Sequence, residues 1–178
     1  MKKWKAPLAL VITLVLGLAV LDAQVPKERL VPENMVEVVA RHADGREFYR
    51  HTEHNLRTTA GINWQADLMS YTSTPPVNAQ CNYIALSNDS AAPAAGDTSV
   101  ASEIASNGLS RAQGTYTHSA GATSYTLAHT WTATGTQASQ KTGILTASSG
   151  GTLCFENTYT QATVNNTDTL TITWTINF

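Results

Sequence analysis

Charged side chains are scarce in this chain. Asp, Glu, Lys and Arg make up 13% of its 178 residues, against roughly 25% in an average soluble domain. Basic residues are rarer still beyond the first third, where only Arg111 and Lys141 follow Arg57. Because nucleic-acid backbones are bound through clustered Lys and Arg, we expect no nucleic acid among the partners of this long neutral region.

The sequence also lacks the short motifs that identify common enzymes: it has no GxSxG, HExxH, P-loop or dinucleotide-binding pattern. The nearest approach to a metal site is His51-x-x-His54, with Glu53 and His42 nearby. That spacing alone is weak, and it favours a solvated polar hairpin. We therefore predict a non-enzymatic protein with no catalytic residues, no metal site and no cofactor.

Cysteine is limited to Cys81 and Cys154, each within a predicted strand. One interpretation is a disulfide between strands, which would stabilise the fold by about 4 kcal/mol. The other is a pair of buried free thiols, as expected in a reducing compartment.

Residues 1–23 combine a basic start with an apolar run over residues 6–21. This pattern indicates either a secretory signal peptide or a retained hydrophobic helix that contacts a membrane or other subunits. A helix of that length spans about 24 Å, short of a hydrocarbon core of roughly 30 Å. The candidate anchoring residues are Trp4, Leu10, Leu14, Leu18 and Leu21. Residues 24–34, which contain two prolines, are predicted to be a linker.

The clearest strand signal lies at residues 169–178, where apolar and polar residues alternate without interruption. Successive side chains of a strand point to opposite faces, so one face is apolar and the other consists mainly of threonine. The apolar positions are Leu170, Ile172, Trp174, Ile176 and Phe178. We expect them to lock a closing strand into the core.

Other elements are predicted from turn and cap residues. Residues 35–51 read as a hairpin with a tight type I′ turn at Asp44-Gly45. Thr58 or Thr59 can cap a helix that runs through Met69 and ends before Pro75-Pro76. Asp97 or Thr98 can cap a second short helix through Ile104, which Asn107-Gly108 would stop.

Further strands are predicted at residues 81–86, 115–118, 124–134, 142–147 and 152–159. Short strands separated by Gly, Ser and Asn turns are typical of a β-sandwich. The expected fold is therefore mainly β: an antiparallel, jelly-roll-like β-sandwich over residues 35–178, with one or two short helices and an N-terminal hydrophobic helix.

Aromatic residues offer a second functional interpretation, as a platform on which sugar rings stack. Most of them, including Trp131 and Trp174, lie in phase with apolar neighbours, which favours core packing. His129 shares the face of Leu127 and Trp131, so it is expected in the core or at an interface.

Three stretches, in this order, resemble a family of small structural proteins of tailed bacteriophages and prophages. The first is NLRTTAG at residues 55–61; the second is NYIAL at residues 82–86 followed by AAPAAGDT at residues 91–98, Glu103 and Arg111. The third is TGILTASSGGTL at residues 142–153, closed by residues 168–178. The resemblance covers about residues 36–178. It implies a tail-fibre, tail-tip or head-surface component without catalytic residues.

The leading hypothesis is a virion-surface structural protein that packs as a homo-oligomer, a trimer or a filament, against other virion proteins. A host-surface glycan or receptor is a further candidate partner. The alternative is a secreted, cell-surface or inner-membrane-anchored protein resembling a pilin-like filament subunit, with membrane contact through residues 6–21. A third hypothesis is a carbohydrate-binding module.

Overall fold

The computed structural model describes residues 34–70 and 80–177, which form two antiparallel sheets and one α-helix. The strands are β1 (Met35–Arg41), β2 (Glu47–His54), β3 (Leu56–Arg57), β4 (Tyr83–Ser87), β5 (Ala112–Gln113), β6 (Thr115–Thr117), β7 (Ser124–Thr132), β8 (Gln137–Leu145), β9 (Leu153–Val164) and β10 (Thr169–Asn177); the helix is α1 (Thr59–Ser70). The expectation of a mainly antiparallel β protein with few helices is confirmed. The predicted anchoring segment, most of the predicted linker and Phe178 lie outside the described residues.

The first sheet has the strand order β2-β1-β10-β7-β6, so the closing strand lies at its centre. Leu170, Ile172, Trp174 and Ile176 are buried, as their alternation predicts. The threonines between them lie on the opposite face of the sheet.

The second sheet has the order β3-β9-β8-β4-β5. Both sheets contribute to one buried apolar cluster, in which Val38, Leu127 and Trp174 of the first meet Ile84, Ile144 and Phe155 of the second. The predicted strand at residues 142–147 begins earlier and that at 152–159 ends later than expected, since β8 starts at Gln137 and β9 ends at Val164.

The turn between β1 and β2 differs from the predicted type I′ turn. Gly45 N donates to His42 O at 2.9 Å, and His42 N donates to Arg46 O at 2.9 Å. Only Gly45 in this loop has a positive φ, of 85°, whereas a type I′ turn requires positive φ at both central residues. The hairpin therefore uses a regular turn followed by a left-handed glycine, and the register shifts between Ala40 and Arg41.

The prediction of a second short helix after Asp97 is wrong. Residues 97–104 are irregular, with one turn at residues 101–102, where Ser102 has φ 50°, and a bridge from Glu103 to Ser87. Ile104 N donates to Leu86 O at 2.8 Å, so the loop satisfies its backbone groups against β4 rather than within a helix. Asn107 and Gly108 both have positive φ and form a tight turn that Leu109 N closes onto Ser106 O.

The first predicted helix is confirmed, with Thr58 as its N-cap. Gly61 N donates to Thr58 Oγ1 at 3.0 Å, and α1 ends at Ser70. The predicted linker extends to Asn34, but Asn34 is hydrogen-bonded within the folded domain. Its side chain accepts from Asn177 N at 2.7 Å, and its carbonyl accepts from Asn55 N at 3.1 Å, because β1 and β10 are neighbours.

Candidate functional site

The three stretches that carry the family resemblance meet at one end of the second sheet, which we call the motif junction. Its residues are Thr58, Thr59 and Gly61, then Ala95, Glu103 and Arg111, then Ala147, Gly150, Leu153 and Cys154. Thr58 Oγ1 donates to Leu153 O and Cys154 O, while Thr59 N donates to Ala95 O at 2.8 Å. A Cβ at Gly61 would lie 2.1 Å from Cys154 O, so glycine allows the helix to approach β9 this closely.

Arg111 connects the second and third stretches within the motif junction. Its guanidinium pairs with both carboxylate oxygens of Glu103, at 2.8 Å for the Nε contact. Nη1 donates to Ala147 O at 2.9 Å and to Gly150 O at 2.7 Å, within the turn that joins β8 to β9. The planar guanidinium group can make all of these contacts at once. Glu103 and Arg111 therefore both have a structural role.

Cys81 and Cys154 are joined by a disulfide, with their Cα atoms 6.4 Å apart. This is the first of the two alternatives for the cysteines. Because Cys154 O also accepts from Thr58, the bond adjoins the motif junction and links the segment before β4 to β9.

Between the loop of residues 88–104 and the second sheet lies a group of ionisable side chains that we call the charged cluster: Asp89 and Asp97 of the loop, and Lys141 and Glu156 of the sheet. Lys141 Nζ lies 2.6 Å from Asp89 Oδ2 and 3.7 Å from Glu156 Oε1. Lys141 and Glu156 are only 2% and 1% exposed. Charges are rarely buried to this extent unless they are paired, so the cluster is the most unusual chemical feature of the described residues.

The β8–β9 register places the two cluster residues of the sheet on one face. Lys141 lies opposite Thr158 and Gly143 lies opposite Glu156, so Lys141 and Glu156 point to the same side. Gly143 leaves room for the loop above, since a Cβ there would be 2.6 Å from the Val100 side chain.

Electrostatics within the charged cluster are strongly perturbed. Burial, reinforced by the neighbouring Asp97 carboxyl group, raises the pKa of Glu156 to about 7, although Lys141 acts in the opposite direction. Hydrogen bonds from Lys141 and from the Ala91 amide lower the pKa of Asp89. Glu156 Oε2 is buried and makes no well-formed hydrogen bond within the described residues, although the Asp97 carboxyl group lies close enough to raise the pKa of Glu156. Sequence reasoning missed this cluster; the signal was a lone lysine and a lone glutamate within otherwise neutral strands.

The outward side of the first sheet is a threonine face, formed by Thr115, Thr117, Thr126, Thr130, Thr132, Thr169, Thr171, Thr173 and Thr175. These side chains are exposed or half-buried, and Thr130 Oγ1 lies 2.8 Å from Thr171 Oγ1. The face is uncharged across three adjacent strands. It is a candidate surface for packing against other subunits.

Strand β2 at the edge of the first sheet is charged instead. Arg50 donates to Glu47 at 2.8 Å through Nε and also pairs with Glu37. Glu47 additionally accepts from Arg41 at 3.0 Å. The hydrogen bond from Arg50 lowers the pKa of Glu47 below its usual value.

The histidines considered for metal binding are used in separate pairs. His51 lies 2.9 Å from Glu53, and His42 lies 3.2 Å from Asp168. No group of three His, Cys, Asp or Glu side chains in the described ranges is arranged to hold a metal ion.

The tryptophans of the predicted stacking platform are not available to a sugar, because Trp131 is 4% and Trp174 0% exposed. His129 is half-buried beside Trp131, and its Nδ1 lies 3.0 Å from Gln113 O. A groove of about 530 Å³ beside Cys81 retains two partly accessible rings, Tyr116 and Tyr125, whose centroids are 5.2 Å apart.

No protein-family profile matches this chain, and no curated protein is significantly similar to it. Within residues 34–70 and 80–177, no helix is long and apolar enough to cross a membrane. The structure places Cys81, Cys154 and the closing strand as described above; Trp4, Leu10, Leu14, Leu18 and Leu21 lie outside the described residues.

Proposed function

We propose that this protein is a non-enzymatic structural component of a phage virion, as a fibre, tip or decoration protein on the tail or capsid surface. The observation that carries the proposal is the motif junction. The residues that carry the resemblance to the phage family have structural roles. Thr58 caps the helix, Gly61 allows the helix to approach β9, and Arg111 holds the turn between β8 and β9. These contacts stabilise the fold and do not position a side chain for catalysis, which suits a protein that acts by packing against other subunits.

For the finer architecture we propose a jelly-roll-like β-sandwich. Support comes from the core that the two sheets share and from β1 and β10 lying side by side at the centre of one sheet. The chain also passes between the sheets repeatedly, as from β7 to β8 and from β9 to β10. Sequential strand pairs within one sheet, namely β1–β2, β4–β5, β6–β7 and β8–β9, depart from that pattern.

The proposed mechanism is oligomeric packing. The threonine face offers an uncharged surface that costs less to desolvate than ion pairs do. A second copy or another virion protein would cover it, giving a trimer or a filament. The groove lined by Tyr116 and Tyr125 is the candidate contact for a host-surface glycan or receptor.

Gold-labelled antibodies against residues 34–177, applied to purified native particles and viewed by negative-stain microscopy, test the location. Intact-mass spectrometry of the same sample reports whether residues 1–23 are retained. Labelled virions are expected. Label confined to cell-surface filaments or to protein free in the medium would overturn the proposal.

A secreted or membrane-anchored surface protein with a pilin-like assembly is the second candidate. The disulfide favours it, because such bonds persist in oxidising compartments. The same microscopy separates the two, since filaments attached to cells would carry the label.

A further inference from the structure

The three closest groups of the charged cluster have complementary chemistry. Lys141 offers an amine, Asp89 a carboxyl group 2.6 Å from it, and Glu156 a second carboxyl group 3.7 Å from the same nitrogen. We propose that Lys141 Nζ and Asp89 Cγ become joined by an intramolecular amide bond, with the Glu156 carboxyl group transferring the proton.

Positioning favours this condensation. The Lys141 and Glu156 side chains are almost entirely buried, whereas Asp89 is 23% exposed at the loop side. The nitrogen is therefore held against the carboxyl group, with an opening through which a small product can leave. Such intramolecular arrangements reach effective concentrations of about 10⁵ M or more, which can drive a step that fails between separate molecules.

The reaction balances without any further reactant. Glu156 takes one proton from the Lys141 ammonium, and the freed electron pair on Nζ attacks Asp89 Cγ. A C–Nζ bond forms and a Cγ–O bond breaks. The departing oxygen receives the proton held by Glu156 and a second proton from the nitrogen, and leaves as water. One ammonium and one carboxylate become one neutral amide and one water.

Glu156 suits the proton-transfer role by its surroundings. One oxygen faces Lys141, while Oε2 makes no well-formed hydrogen bond within the described residues. A carboxyl group whose pKa lies close to neutrality can both accept and return a proton. Asp97 is held differently, because its Oδ2 accepts from the Ala94 amide at 2.7 Å within a turn, and we do not assign it as the acceptor.

The bond would fasten the loop of residues 88–104 to β8. The loop covers one face of the second sheet, where Val100 packs with Ala85, Leu145 and Leu153. An amide would remove the buried charge of Lys141 and the partly exposed charge of Asp89, and it would replace a reversible ion pair with a permanent link. The inference does not depend on the location proposed above.

Tryptic mapping of the purified full chain, reduced and denatured after incubation at pH 7, tests the proposal. Trypsin separates residues 58–111, 112–141 and 142–178 when Lys141 is free. The amide blocks cleavage after Lys141, so residues 112–178 are expected as one peptide joined to the peptide 58–111. The mass of the joined product is the sum of the masses of these two peptides minus one water. Three separate, full-mass fragments would overturn the proposal.

Three variants distinguish the amide from an ion pair. In Asp89→Asn the same attack expels ammonia, so the linked product loses one ammonia from that variant's mass. Glu156→Gln is expected to slow linkage by about 100-fold or more, the usual range for removing a proton-transfer group. Lys141→Arg keeps the cation but forms no link, and it is the matched control. Equal linkage in wild type and Glu156→Gln would refute the role of Glu156, and urea unfolding shows whether each variant is folded.

Discussion

Removal of the disulfide gives the prediction with the firmest magnitude. Cys81 and Cys154 are 73 residues apart, and both are buried. Constraining the unfolded chain over a loop of that length is worth about 4 kcal/mol. This is a large fraction of the stability of a whole domain, which is about 5–15 kcal/mol. For a domain of this size, the loss would lower the unfolding temperature by about 10 °C.

The assay is urea unfolding followed by tryptophan fluorescence, with oxidised wild type, reduced wild type and Cys81→Ala/Cys154→Ala compared. Reduced wild type keeps the sulfur atoms but lacks the cross-link. The difference in unfolding free energy between it and the double variant therefore measures the packing of the sulfur atoms alone. The series belongs in a Lys141→Arg background, where the proposed amide cannot contribute. A difference below about 1 kcal/mol between the oxidised and reduced forms would refute the loop-entropy reasoning.

Three other substitutions test individual contacts by urea unfolding. Gly61→Ala should cost about 2 kcal/mol or more because its Cβ would meet Cys154 O, whereas Gly96→Ala, with nothing within 4 Å, should change stability by less than about 0.5 kcal/mol. Folded Glu156 keeps its proton up to about pH 7 and the unfolded residue releases it near 4.5, so stability should fall by about 3 kcal/mol as pH rises between them. Glu156→Gln should lack that component, and equal pH slopes would contradict the assignment. Arg111→Lys should cost about 2 kcal/mol, because an ammonium cannot replace the forked contacts with Glu103 and two carbonyls.

The extent to which sequence predicts this fold depends on how local each signal is. The alternation of apolar and polar residues is enough to predict the closing strand, and the Thr58 cap is enough to predict the start of α1. Both predictions are confirmed. The helix predicted after Asp97 does not form, because Val100 and Ile104 are buried along an irregular path and the Ile104 amide donates to Leu86 O in β4. Propensity describes a segment alone, and tertiary contacts override it here.

The charged cluster could not be predicted for a different reason. Asp89 and Lys141 are 52 residues apart in the chain, and they meet only because the loop folds over β8. Nothing within either segment specifies that meeting. The early start of β8 has a related cause: its polar residues are buried by distant parts of the chain, Lys141 beside Asp89 of the loop and Ser139 against Ser87 of β4 and Tyr159 of β9. The unusual chemistry of this protein therefore arises from register and long-range packing.

The charged edge at β2 has a consequence for how copies of this protein can grow into a larger object. A strand added beside β2 would strip water from Arg50, Glu47 and Glu37, while the other sheet edges in the described chain are strands of only two or three residues. Among the described strands, the charged β2 and the short β3, β5 and β6 are therefore poor partners for an added strand. We expect a fibre built from this domain to repeat as stacked whole units, with the geometry of their faces setting the repeat.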